Sequence, residues 1–207
     1  MTLIASYKLN WNGNNALGAN NLTATNVTRV NWKMNQGGSF NGSSSTCRVN
    51  NTLGINGSAY SVTCLVKLKE NTSWIIFAQC NTSSFVTNYI WYDYSWWSIQ
   101  LAFGRIRNSV ANNQFLYSIT PWTTNWYHLG ITYDWSTVKW YVNGVYVWQV
   151  SSSWGGSGGW SNGFDIGAWN GGTSSFANAV IDEVEVHNTA LTQTEINNNF
   201  LYYNWYF

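Results

Sequence analysis

The stretch Val138-Lys139-Trp140-Tyr141-Val142, then Asn143-Gly144, then Val145-Tyr146-Val147-Trp148-Gln149-Val150 decides the fold. Two runs rich in β-branched and aromatic residues flank an Asn-Gly pair. Both central residues tolerate positive φ, which a two-residue type I′ turn requires, so the stretch predicts a β-hairpin. Outward from it, short period-2 segments bounded by Gly, Asn and Ser recur along the chain, an all-β signature. The pattern predicts strands at Leu3–Leu9, Gly38–Phe40, Thr46–Val49, Tyr60–Leu68, Trp74–Gln79, Trp96–Phe103, Gln114–Ile119, Trp126–Tyr133, Val138–Val142, Val145–Val150, Gly163–Ala168 and Ala179–His187. One helix is expected. Thr192 and Glu195 form a capping box, and Ile196 and Phe200 follow four apart on one face.

Composition narrows the function. The chain has 207 residues and net charge +1, with only 8% charged residues. That length suits one β-sandwich spanning 1–207. The charge speaks against nucleic acid, whose binders need a basic face. No apolar run is long enough to span a bilayer, so no membrane insertion is expected, and Met1–Leu9 does not read as a signal peptide. Cys47, Cys64 and Cys80 are odd in number, so at least one thiol is free or pairs between chains. Asn-x-Ser/Thr triplets abound in so Asn- and Ser-rich a chain and carry no reading of glycosylation. Fifteen Trp and thirteen Tyr are more than a core of this size readily hides. Exposed rings among Asn, Ser and Gly suit neutral ligands, and above all sugars, whose C–H faces stack on rings while their hydroxyls bond amides.

Several stretches resemble the laminin G-like, concanavalin A-like jelly-roll family. Trp126–Asp134 followed by Ser136–Gly144 is similar to its central hairpin. Phe164–Gly167, Ile181–Leu191 and Thr192–Ile196 are similar to its C-terminal signature, and Gly38–Gly42 and Tyr60–Lys67 to its early strands. The resemblance implies a two-sheet antiparallel jelly roll with one short C-terminal helix, and ligand on a concave face or on edge loops. It also implies a structural Ca²⁺, with Asp182 as the side-chain ligand and carbonyls from the early loop. That loop, Asn12–Asn20, carries no Asp, which weakens such a site.

The acidic residues do not form a catalytic set. Relatives of this fold that hydrolyse β-glucans place two glutamates and an aspartate on alternate positions of one strand. Here the one cluster is Asp182-Glu183-Val184-Glu185, and the next alternate position is His187. Period 2 puts Glu183 and Glu185 on one face and Asp182 on the other. The expected role is a polar outer face with Asp182 tied to a loop or a metal. His128 and His187 neighbour no nucleophile motif.

Two aromatic clusters are the binding candidates. In Tyr89–Trp97 six of nine residues are aromatic. A strand there sends Trp91 one way and Tyr92 and Tyr94 the other, and a tight turn near Asp93–Ser95 exposes some of them, Trp97 included. The second cluster is the glycine-rich loop carrying Trp154 and Trp160, followed by Trp169 and Asn170. The expectation is a non-catalytic carbohydrate-binding domain for neutral polysaccharide, in an extracellular or virion setting. The alternatives are a phage or virus structural or receptor-attachment protein, which would form a homo-oligomer, and a cryptic polysaccharide-degrading enzyme.

Overall fold

The computed structural model describes residues 2–9, 16–17, 21–32, 34–50, 53, 59–69, 74–79, 87–95, 98–107, 110–119, 125–151, 163–169 and 173–205. Among these, the strands are β1 (Leu3–Tyr7), β2 (Thr23–Thr25), β3 (Thr28–Trp32), β4 (Asn35–Ser39), β5 (Thr46–Val49), β6 (Tyr60–Leu68), β7 (Trp74–Gln79), β8 (Thr87–Ser95), β9 (Ser98–Arg107), β10 (Val110–Ile119), β11 (Trp126–Tyr133), β12 (Thr137–Val142), β13 (Val145–Ser151), β14 (Phe164–Ile166) and β15 (Ala179–His187). One helix, α1 (Gln193–Asn204), follows them. Asn143 and Gly144 take φ of 49° and 76°, so the β12–β13 hairpin closes through the expected turn.

Every described pairing is antiparallel. One sheet runs β13-β12-β11-β6-β15-β4-β3, with β1 also on β15, and the other runs β10-β9-β8-β7-β14-β5-β2. This is the two-sheet jelly-roll sandwich. Tyr7, Phe40, Ile76, Tyr92, Leu101, Trp140 and Phe164 lie fully buried between the sheets. Burying each such side chain contributes roughly 1.5–3 kcal/mol. Trp140 stacks on its cross-strand partner Trp148, with centroids 4.8 Å apart.

β6 and β11 are buried on both faces, because α1 covers the outer side of their sheet. Tyr141, Leu191 and Ile196 form a small apolar cluster there. At Gly130 a side chain would meet Tyr141 and Ile196, so the missing Cβ lets the helix approach. The capping box forms with both arms. The Glu195 N–H donates to Thr192 Oγ1 at 3.2 Å, and the Thr192 N–H donates to Glu195 Oε2 at 2.8 Å. No helix among the described residues is long and apolar enough to cross a membrane.

Boundaries for five strands match the expectation residue for residue. The differences lie elsewhere. β2 and β3 were not expected: β2 is short and wholly exposed, and in β3 the Val30/Trp32 alternation spans only two apolar positions. Residues 93–95 continue β8 rather than turn, and Ser95 pairs with Ser98 of β9. The helix runs on to Asn204, adding Tyr203 to the buried face that Ile196 begins. Cys47 and Cys64 are free, buried thiols, and burial pushes both up to about 12.

Gly144→Val should test the turn and the helix contact together. A Cβ at Gly144 lies 2.8 Å from Asn197 Oδ1 and 2.9 Å from Phe200 Cδ1, at a φ disfavoured for L-residues. The expected loss is about 2–3 kcal/mol in a urea titration.

Candidate functional site

The outer face of the seven-stranded sheet follows from alternation along its strands. Ile90 and Tyr92 point into the core, so Trp91 between them points outward and is half-buried. Ala102 of β9 lies opposite Trp91, and Leu116 of β10 lies opposite Ala102. Leu116 is exposed. In the adjoining row Gln100 faces Ser118, and the Gln100 amide approaches Ser118 Oγ at 3.5 Å. An indole with an amide and a hydroxyl beside it offers one stacking surface and two hydrogen-bonding groups.

Tyr92 corrects the expectation. It was expected to serve as a platform but is fully buried, and its hydroxyl bonds Asn178 O at 3.1 Å and Asn178 N at 3.0 Å. The reason is parity: Tyr92 shares the inward phase of Ile90. Trp169 is half-buried, and its backbone N–H donates to Ser174 O at 2.7 Å. Tyr94 lies in β8, two residues beyond Tyr92. Trp97, Trp154, Trp160 and Asn170 lie outside the described residues, so the two aromatic clusters are not brought together here. Gln100 and Ser118 carry no aromatic signal in the sequence, although both sit in segments whose alternation predicts strands.

A second polar constellation lies on the outer face of the eight-stranded sheet. Ile181, Val184 and Val186 all belong to the core, so the inward phase slips by one residue after Ile181. A β-bulge between Asp182 and Glu185 causes the slip, with Glu183 at φ 47°. The expectation that Asp182 and Glu185 face opposite ways is therefore overturned. Both face outward, together with Glu183 and His187. The phase change was visible in the apolar residues themselves, had strict alternation not been assumed.

Asp182 is 2% exposed. Its Oδ1 accepts from the Leu9 N–H at 2.8 Å, and its Oδ2 accepts from the Trp32 indole N–H at 2.9 Å. Trp32 in turn stacks on Trp126 at 4.1 Å. Burial pushes the Asp182 carboxyl up to about 7, against hydrogen bonds from Glu183, Trp32 and Leu9 that favour the ionised form. This is the tie to a loop that the sequence suggested.

Glu183 and Glu185 converge on one phenol. Tyr203 OH lies 3.0 Å from Glu185 Oε1 and 3.4 Å from Glu183 Oε2. Glu185 Oε2 also accepts from Asn199 Nδ2 at 2.8 Å and faces His187 Nε2 at 3.4 Å. Burial raises Glu183, while the donors around Glu185 outweigh its burial and lower it. Lys8, Glu183, Glu185, Asn199, Tyr202 and Tyr203 line a pocket of about 290 Å³. His128 lies beneath, fully buried between Phe200 and Tyr203. Among the described residues neither ring nitrogen makes a well-formed hydrogen bond, and burial outweighs the nearby Glu185 and Asn199, pushing it down to about 4.

Residues 41–197 match the family model of the concanavalin A-like lectin/glucanases superfamily. The chain belongs to that superfamily. A search of curated proteins by sequence finds no match, whereas similar solved structures are many. Domain 4 of an extracellular arabinanase from Geobacillus stearothermophilus, in complex with arabinotriose, is 21% identical with a TM-score of 0.68. The alignment covers 95% of this chain and 97% of that one. Trypanosoma rangeli sialidase is 16% identical with a TM-score of 0.70, covering 98% of this chain and 33% of that one. The receptor-binding domain of the botulinum neurotoxin C/D mosaic serotype is 15% identical with a TM-score of 0.68, covering 96% and 51%. At these identities the likeness carries the jelly roll, not a ligand. This chain thus spans about a third of the sialidase and half of the toxin domain.

Within this superfamily member, Asp182 and His128 give opposite pH slopes over the same range. Native Asp182 holds its proton up to about 7, above its unfolded value, so its contribution is full at low pH and is lost as pH rises from about 4 to 7. His128 stays neutral in the native state down to about 4, while the unfolded chain protonates near 6.5. Its contribution is full above 6.5 and is lost as pH falls, by about 3 kcal/mol. Urea midpoints across pH 4–7 should show His128→Phe losing stability with rising pH relative to wild type. Asp182→Asn should lose it with falling pH.

Proposed function

We propose that this chain is a non-catalytic carbohydrate-binding domain for neutral polysaccharide, working through the outer face of the seven-stranded sheet. The observation that carries the reading is Trp91, half-buried on that face beside Gln100 and Ser118 and the exposed Leu116. The chemistry suits a sugar ring laid on the indole with its hydroxyls bonded to neutral side chains. The arabinanase domain, seen with arabinotriose and matched over nearly its full length, supports a sugar ligand and an extracellular setting. Trp169, and Trp97, Trp154, Trp160 and Asn170 outside the described residues, are further candidates for contact with such a ligand on their residue types alone.

A binding role fits the carboxylates better than hydrolysis does. Asp165 on the same face is fully buried and paired with Arg48 at 2.6 Å. Asp134 accepts from Ser136 and Thr137 in its own turn, and Glu195 caps α1. Among the described residues, the carboxylates with described side chains are engaged in structural contacts, and none stands as a free pair on the Trp91 face. Two or three stacking contacts with amide hydrogen bonds give micromolar-to-millimolar binding.

Affinity electrophoresis in gels containing arabinan, xylan or β-glucan tests the proposal. Wild type should be retarded by at least one of them. Trp91→Ala should lose most of that retardation while keeping its near-UV circular dichroism. No retardation in any gel, together with a symmetric oligomer by light scattering, would favour the virion-component reading instead.

The proposal extends to a structural Ca²⁺ at Asp182. A cation there would share oxygens that already accept N–H bonds, and Asn12–Asn20 is the segment proposed to supply carbonyl ligands. Among the described residues no group of three or more His, Cys, Asp or Glu suits a metal. Millimolar Ca²⁺ should raise the thermal midpoint relative to EDTA, and Asp182→Asn should abolish the rise. An unchanged midpoint removes the ion from the reading.

A further inference from the structure

The pocket between α1 and the β15 bulge is short of hydrogen-bond donors. The Glu183 side chain is 6% exposed, yet its contacts are Lys8 Nζ at 3.7 Å from Oε1 and Tyr203 OH at 3.4 Å from Oε2. The phenol has one proton and lies nearer Glu185, at 3.0 Å, so it serves that carboxylate. Asn199 donates its Nδ2 to Glu185, and its buried Oδ1 makes no well-formed hydrogen bond among the described residues, although the His128 ring approaches Asn199. Acceptors with open lone pairs therefore line one wall. A buried acceptor left unmade is costly, which makes it a strong determinant of what enters.

The opposite wall is aromatic. Tyr202 is 62% exposed, lies edge-on to Tyr203 at 5.0 Å and lines the pocket. Trp205, 89% exposed, sits one turn further along α1. We propose that this pocket is a second sugar site, taking one terminal monosaccharide whose adjacent hydroxyls donate to Glu183 and Asn199 while its C–H face packs on Tyr202. The volume of about 290 Å³ lies at the lower end of small-molecule pockets and suits a single ring. Lys8 already balances the Glu183 charge and offers its N–H donors from 3.7 Å, so what remains at Glu183 is open lone pairs rather than uncompensated charge, and a neutral polyol answers these better than an ammonium group. The site lies on the other sheet from Trp91, so the two together let one domain hold a chain and a chain end. The inference rests on the carbohydrate reading above.

Calorimetric titration with L-arabinose, D-galactose, D-glucose, D-mannose, D-xylose and methylammonium chloride tests it, on wild type and on Glu183→Gln, Tyr202→Ala and Trp91→Ala. At least one monosaccharide should bind at millimolar concentration. Tyr202→Ala and Glu183→Gln should each weaken it at least about tenfold, and Trp91→Ala should leave it unchanged. Tyr202 is exposed and Glu183→Gln is isosteric, so loss of folding in one variant leaves the other to decide. The proposal is overturned if no sugar binds, if only methylammonium binds, or if Trp91→Ala alone abolishes binding. Retardation on polysaccharide gels that survives those results keeps the reading of the Trp91 face intact.

Discussion

A single buried carboxylate holds together the part of the sandwich where three strands meet one. β15 carries β6 along one edge, and β4 and β1 share the other, β4 at its first half and β1 at its second. The join between them falls at Asp182. Its two oxygens take the backbone N–H just after β1 and the indole N–H of the last residue of β3. Without that acceptor the buried Leu9 N–H and the part-buried Trp32 indole N–H would lose their partner at the seam. The bulge at Glu183 is the geometric counterpart. One extra residue lets β15 turn Asp182 towards the seam while Val184 and Val186 return to the core.

The same bulge sets up the chemistry of the outer face. By shifting the phase it gathers Asp182, Glu183, Glu185 and His187 on one side, where strict alternation would have divided them. α1 then covers the group, and Tyr203 and Asn199 supply its donors. His128 sits beneath as a neutral, desolvated ring. Glu183 and Glu185 are pushed in opposite directions because burial prevails at Glu183 over Lys8 and Tyr203, whereas the three donors at Glu185 prevail over its burial. The non-glycine positive φ at Glu183 is strain of the kind that persists only where surrounding contacts enforce it.

The two sheets therefore present different outer surfaces. The eight-stranded sheet is half covered by the helix and is polar and charged beneath it. The seven-stranded sheet, at Trp91, is neutral, with Gln100 and Ser118 beside the indole. Charge is kept off that face by pairing, as Arg48 and Asp165 show. A neutral, aromatic, amide-bearing surface discriminates by shape and hydroxyl geometry rather than by electrostatic attraction, in keeping with a chain that is only 8% charged.

Most of the fold was legible from local rules. The Asn143-Gly144 turn, the period-2 runs and the Thr192 capping box each depend on residues close in sequence, and the structure bears them out. That Trp91 and Tyr92 face opposite ways, and the loop tie of Asp182, were also readable. What the sequence alone did not decide depends on contacts distant along the chain. Tyr92 shares the phase of Ile90, but only the fold shows that this phase faces the core, where its hydroxyl meets Asn178, 86 residues away. β2 and β3 carry strand-favouring Thr, Val and Trp, but these short, exposed runs gain their partners β5 and β4 only in the fold. The carboxylates converge because a bulge is stabilised by Leu9 and Trp32, which lie 173 and 150 residues from Asp182. Local propensity sets which segments extend; burial and long-range hydrogen bonding decide which way each side chain faces, and function depends on the facing.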